Sequence, residues 1–193
     1  MEFTRSQKRW SIIDLQPQDE TTIRQVAALL VEGFATNWPD AWPDLASALE
    51  CVREFFESGR ISRVARDEDG TVLGWIGGNS QYNGHVWELH PLVVRISSQG
   101  KGIGRALVQD LERLVKERGG LTILVGTDDE NDLTTLSGVN LFSDVYTHIT
   151  NIKNLKKHPY EFYQKLGFVI VGVVPDANGL GKPDILMAKS MVR

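Results

Sequence analysis

Apolar residues along this chain recur at two different spacings, and the way those spacings alternate predicts an α/β protein. Trp10 to Leu15 reads as a first strand. Ile23, Val26, Ala27, Leu30, Val31 and Phe34 then fall on one helical stripe, with Thr21 or Thr22 as its cap, and Leu45, Leu49, Val52 and Phe56 mark a second helix, Leu45 to Glu57. The turn-prone stretch TNWPDAWPD separates the two. Ile61 to Arg66 and Thr71 to Gly77 flank DEDG, whose Asp69-Gly70 pair predicts an antiparallel hairpin. NSQYNGH reads as a polar linker before a strand from Trp87 to Val94.

The clearest helix follows, with Ile103, Ala106, Leu107, Leu111, Leu114 and Val115 forming one apolar stripe that ends at Gly119-Gly120. Leu121 to Val125 is a short strand, Pro159 to Leu166 a short helix with proline in its first turn, and Val169 to Val174 and Ile185 to Lys189 are closing strands. Asp128 to Lys157, 30 residues, has no clear period. Connections of that length usually have a purpose, so it reads either as partly helical around Leu141 to Ile149 or as a loop covering a substrate.

Composition adds boundaries rather than chemistry. The 193 residues, 41% hydrophobic, suit one domain with a sizeable core spanning 1–193. A net charge of -4 and a pI near 5.6 weigh against a nucleic-acid or anionic-membrane partner, which would draw a basic surface. Cys51, the single cysteine, fits a small packing residue on the second helix. The opening MEFTRSQKRW has no apolar leader core, and no stretch approaches the length of a membrane span, so the cytoplasm is the expected compartment.

The chemistry is concentrated in QGKGIG, Gln99 to Gly104, between the strand ending at Val94 and the helix starting at Ile103. A phosphate-binding P-loop needs serine or threonine after Gly-Lys, where this chain has Gly102, and a dinucleotide fingerprint needs a third glycine where it has Arg105. What remains is the physics common to both motifs. Gly100, Gly102 and Gly104 let backbone N–H groups come close to an anion at a helix N-terminus, and Lys101 and Arg105 add positive charge, so a pyrophosphate is the expected ligand. A glycine-rich turn that only permits tight packing is the alternative.

VVRISSQGKGIGRAL resembles the acetyl-coenzyme A signature of the GNAT superfamily of N-acetyltransferases, Gln/Arg-x-x-Gly-x-Gly/Ala preceded by a strand valine. Gln99, Gly102, Gly104 and Val94 fill those places. A second signature, a short helix ending in Phe-Tyr-x-x-x-Gly-Phe, stands as Phe162 to Phe168. The resemblance implies an α/β (α+β) domain with a mixed, mostly antiparallel central sheet of about six to seven strands and helices on both faces. It also implies acetyl-coenzyme A held by Leu92, Val93, Val94, Gln99, Gly100, Lys101, Gly102, Ile103, Gly104, Arg105 and Tyr163. Two departures stand out: Ile96 occupies a place where the family often has proline, and the 128–157 segment is long. The asparagine that often follows the fifth strand is therefore open among Asn131, Asn151 and Asn154.

Acyl transfer to an amine needs a neutral amine, a polarised carbonyl and a proton for the leaving thiolate. Glu88, His90, Leu92 and Val94 share one strand face by their spacing of two. Glu88 stands where the resemblance places a general base, with His90 as a second candidate; a solvated or ion-paired carboxylate and a satisfied histidine are the plainer readings. The resemblance makes Tyr163 the general acid, with Tyr160 as fallback and a packed tyrosine as the alternative, and gives carbonyl polarisation to the Val94 N–H.

Acceptor choice would rest on acidic and aromatic loops: Trp38, Asp40, Trp42 and Asp44 between the first helices, Tyr82, Glu88, then Asp128, Asp129, Glu130, Asp176 and Asp184, together suited to a polycation. The run from Tyr160 to Met191 is similar to aminoglycoside 6'-N-acetyltransferases, so the expected partner is a small-molecule amine of that class. Another amine metabolite or peptide, or a non-catalytic acyl-coenzyme A-binding module, is the alternative. No metal is expected, and an exposed sheet edge would suit a homodimer.

Overall fold

The structure is a computed structural model that describes residues 10–193; the reading of the N-terminal leader falls, up to residue 9, outside the described residues. The elements are β1 (Trp10–Asp14), α1 (Glu20–Phe34), α2 (Leu45–Glu54), β2 (Arg60–Asp67), β3 (Val72–Gln81), β4 (Val86–Val94), α3 (Ile103–Glu117), β5 (Thr122–Asp128), α4 (Val145–Thr150), α5 (Tyr160–Gln164), β6 (Val169–Val174) and β7 (Asp184–Ser190). The strands form one seven-stranded sheet in the order β1-β2-β3-β4-β5-β7-β6. β1–β2, β5–β7 and β6–β7 are antiparallel, and β4–β5 is parallel. The parallel pair needs a crossover, which α3 supplies. This is the mixed, mostly antiparallel sheet that the family resemblance implies.

Several boundaries differ from expectation, each for a local reason. Asp19, not Thr21 or Thr22, caps α1, because its carboxylate accepts the Thr22 N–H at 3.0 Å and the Thr22 hydroxyl at 2.7 Å. Asp44 caps α2 in the same way through the Ser47 N–H, and α2 ends at Glu54 rather than Glu57. β3 runs on to Gln81, so the first three residues of NSQYNGH are strand; its remainder turns at Tyr82 and Asn83, both at positive φ (49° and 55°). β5 extends to Asp128, which lifts that residue out of the expected loop.

By packing, the chain forms two compact units. One runs to Gly78 and resumes over Pro91–Leu111; the other comprises Asn79–His90 and Glu112–Arg193. In the first, Ile23, Val26, Ala27, Leu29 and Leu30 of α1 bury against Val64, Val72, Trp75 and Val93. Fully burying such side chains contributes roughly 1.5–3 kcal/mol each. Trp75 satisfies its indole N–H on the Ser62 hydroxyl at 2.9 Å. The other face of β3 receives α3: a methyl placed on Gly74 would lie 2.9 Å from the Val93 carbonyl oxygen and 3.0 Å from Leu107 Cδ1. Helices therefore cover both faces here, as expected. Arg63, buried between them, donates to Asp14, Asp110 and the Ile12 carbonyl, so its charge is fully paired.

In the second unit, Trp87, Ile123, Val125, Ile185 and Met187 form the buried layer. The long 128–157 segment follows the first of its two expectations, being partly helical close to where the helix was expected, over Val145–Thr150. It contains one short helix, α4, and a bridge between Thr134 and Asn154, and it folds around Asp129, whose carboxylate accepts the Leu133 and Thr134 N–H groups at 2.7 and 2.8 Å.

The close approach of α3 to β3 leaves no room for a side chain at position 74. Gly74→Ala should destabilise the protein by about 1–3 kcal/mol in urea denaturation; an unchanged midpoint would show that this packing is slack.

Candidate active site

The glycine loop is built as the sequence suggests. A short 3-10 turn, Ile96–Ser98, follows β4, and Gln99 donates to the Val94 carbonyl at 3.2 Å while Lys101 donates to the Ser97 carbonyl at 2.9 Å. These bonds fold the loop back on the strand end. Gly100 and Gly102 take φ of 73° and 83°, conformations costly for any side chain, and a methyl at either would meet nothing within 4 Å. The loop face is therefore open. The first bond of the α3 turn runs from the Ala106 N–H to the Gly102 carbonyl, so the amides just before Ala106 precede the helical ladder and point toward the loop. With the helix dipole and Lys101 and Arg105, the arrangement suits a pyrophosphate. Gly104 sits inside the first helical turn. Val93 and Ile103 turn their side chains into the core, which leaves only their backbone for a ligand; Leu92 and Val94 lie on the less buried face.

In the second unit, strand register gathers carboxylates that the sequence scatters. Glu88 is registered with Leu124, and Asp128 is paired with Asp184. Alternation then puts Glu88, Leu124, Gly126, Asp128 and Asp184 on one face. Gly126 matters here because a methyl on it would lie 2.7 Å from Asp184 Oδ2; its absence makes the room that the carboxylate occupies. Burial, and the nearby charge of Asp128 and then Glu88, push the Asp184 carboxyl up to about 6. Its Oδ1 is buried without a hydrogen-bond partner among the described residues. Glu88 is half-buried and accepts the Gln81 amide at 2.9 Å, and Asp128 accepts the Asn178 amide at 2.6 Å. His90, two residues beyond Glu88, is exposed.

Tyr163 is buried between Phe162 and Phe168 at the end of α5, which packs on β7, and burial pushes its hydroxyl well above the ordinary value. A phenol in that state stays protonated at neutral pH. Tyr160, also buried, is raised for the same reason, with the Glu161 charge second.

Other candidates have structural work instead. Trp42 is 9% exposed, packed edge-on against Phe34 in the first unit's core, and so does not line an open site. Asp129 is wholly buried and anchors its loop; although burial acts to raise it, bonds from Leu133, Thr134 and Ser137 and the charge of His158 leave it lowered. Asp44 is a helix cap, and Asp176 closes a turn on the Gly181 N–H. Asn151 donates to the Thr147 carbonyl and Asn154 holds the backbone of His158. Trp38 is half-buried with its indole N–H unpartnered among the described residues, while Asp40 and Tyr82 are exposed. Gln81, Gly126 and His158 were missed. Only the strand register, invisible in a single sequence, brings the first two to the carboxylates.

Residues 24–134 match the acetyltransferase (GNAT) family. No curated protein matches the chain. Among solved structures, the chain is similar to an aminoglycoside 6'-N-acetyltransferase complexed with coenzyme A, at 42% identity and a TM-score of 0.87, covering 95% of this chain and 98% of that one. An aminoglycoside 6'-N-acetyltransferase from Enterococcus faecium follows at 41% and 0.85, with the same coverage. An aminoglycoside 6'-acetyltransferase type Ii is similar at 37% and 0.71, again over 95% and 98%.

The raised Asp184 carboxyl has a stability signature. Its ordinary value is 3.8 and its folded value about 6, so between these the folded state holds more protons than the unfolded one, and the penalty for ionising it grows with pH until it is complete above about 6. Asp184→Asn should therefore melt a few degrees above the parent at about pH 8, with the difference shrinking toward about pH 4. An equal difference at both would contradict the assignment.

Proposed function

Because the chain belongs to the acetyltransferase (GNAT) family, we propose that it is an N-acetyltransferase that moves an acetyl group from acetyl-coenzyme A to a primary amine of an aminoglycoside or a related polycationic small molecule. The observation that carries this reading is the open, positive loop from Gln99 to Arg105 at the start of α3, which fits a pyrophosphate. The likeness, over nearly the whole chain, to a 6'-N-acetyltransferase bound to coenzyme A supports both the carrier and the acceptor.

Acetyl-coenzyme A supplies an acyl group activated as a thioester. The amides around Gly100 and Gly102, with Lys101 and Arg105, hold its pyrophosphate, and the Val94 N–H is offered for the acyl carbonyl, since β4 continues to Val94 beyond its last registered pair with β5 at Glu88. Glu88 Oε1 or Oε2 takes a proton from the incoming ammonium, oriented by the Gln81 amide, and His90 is the second candidate for that proton. Asp128 and Asp184 favour a cation by charge. An arriving ammonium lowers the cost of ionising Asp184, so the acceptor and the carboxylate favour one another. Tyr163 Oη, kept protonated by burial, holds the proton for the leaving sulfur. Residues 1–193 are taken as one acetyltransferase domain, acting in the cytoplasm on a small molecule; among the described residues no helix is long and apolar enough to cross a membrane.

Thiol release from acetyl-coenzyme A with aminoglycosides, polyamines and peptides is the direct test, and release with the aminoglycosides is expected. No release with any amine would refute the reading. Glu88→Gln should lower kcat/KM by about a hundredfold, most strongly at low pH where the amine most needs a base, and Tyr163→Phe by about ten- to a hundredfold. Unchanged rates would remove those two assignments and leave the fold untouched.

A further inference from the structure

His158 has no part in the chemistry above, yet it is 2% exposed and both of its ring nitrogens are engaged. Nδ1 accepts the Tyr160 N–H at 3.2 Å, which makes it the unprotonated nitrogen, and Nε2–H then donates to the Asp128 carbonyl at 3.1 Å. The ring therefore joins the last residue of β5 to the first residue of α5. At that end α5 begins on Pro159, which gives no side-chain cap, so the imidazole takes one of the donors that a helix start leaves unpaired. The backbone of His158 is fixed too: Asn154 Oδ1 accepts its N–H at 2.7 Å, and Asn154 Nδ2 donates to its carbonyl at 2.9 Å. Lys157, just before, adopts φ of 61°, so the chain turns sharply to present the ring.

We propose that His158 is a positioning residue for acyl transfer, its neutral ring setting helix α5 and Tyr163 against the Asp128 end of β5. The proposal rests on the reading of Tyr163 as proton donor and of Asp128 as an acceptor-side carboxylate. The charged groups facing the ring are the carboxylates of Asp129 and Asp128; the Tyr160 ring packs on it at 5.6 Å. Burial outweighs the Asp128 carbonyl and both charges and holds the imidazole below its ordinary 6.5, so the neutral form persists near neutral pH. Protonating Nδ1 would replace an acceptor by a donor facing the Tyr160 N–H. The bond to α5 would be lost while the bond to Asp128 remained.

Two measurements on the full chain test this. Nitrogen-15 and proton NMR of the histidine rings should show His158 as the Nε2–H tautomer with a midpoint below 6.5. An Nδ1–H tautomer, or titration at or above 6.5, would overturn the proposal. In steady-state kinetics with acetyl-coenzyme A and the best amine of the panel, His158→Gln should lower kcat by about tenfold or more with the KM for acetyl-coenzyme A within about twofold, and the loss should largely vanish in a Tyr163→Phe background. Should His158→Gln not fold, Asn154→Ala, which loosens the backbone and keeps the ring, is expected to give a smaller loss of the same kind. An equal loss with and without Tyr163, or a change confined to KM, would overturn the role. A His158→Gln enzyme of full activity beside a crippled Tyr163→Phe overturns the positioning role alone; a Tyr163→Phe enzyme of full activity overturns the proton-donor reading and the positioning role with it.

Discussion

The register of β4 is the constraint on which everything else depends. Trp87, Leu89, Pro91 and Val93 are buried, whereas Glu88, His90, Leu92 and Val94 lie between them on the less buried side. A slip of one residue would exchange the two sets, moving Glu88 into the core and Val93 out of the α1 packing. Two packing demands hold the register: Val93 sits so close to α1 that Gly33 has no room for a side chain, and the Val93 carbonyl approaches β3 at Gly74. Polar chemistry on one side of the strand is thus held in place by apolar packing on the other.

Two ionic arrangements in this protein differ in what they contribute. Around Arg63, a buried cation meets two carboxylates and a carbonyl, so the cost of removing its water is offset. Asp184 is the opposite case: buried, close to other carboxylates and with an unsatisfied oxygen. An arrangement that costs the fold stability also favours a nearby cation, which is what the proposed acceptor site would need. Gly126 is the local condition for it, because any larger residue would occupy the space of the carboxylate.

The second unit shows how a long connection becomes ordered without regular structure. Asp129 collects backbone N–H groups from the turn that follows it, Asn154 grips the backbone of His158, and the His158 ring ties Asp128 to α5. Three side chains thereby do for the 128–157 segment what a backbone ladder does for a strand, satisfying the buried polar groups that would otherwise forbid so long a loop.

The amino-acid order alone was enough for the elements whose signal is local. Periodicity located α3, the Asp69-Gly70 turn located the β2–β3 hairpin, and three alternate glycines marked an open loop where a helix starts, because spacing and backbone freedom are properties of a short stretch. It also placed Glu88 and Val94 on one face, since alternation needs no partner strand. Tertiary structure alone decided which distant residues meet: that Asp128 and Asp184 stand opposite each other, that Trp42 and Asp129 are buried while Tyr82 is exposed, and that His158 reaches both β5 and α5. Those outcomes depend on register between strands far apart in the chain and on which polar groups must be satisfied once water is excluded, and neither is a property of any local pattern.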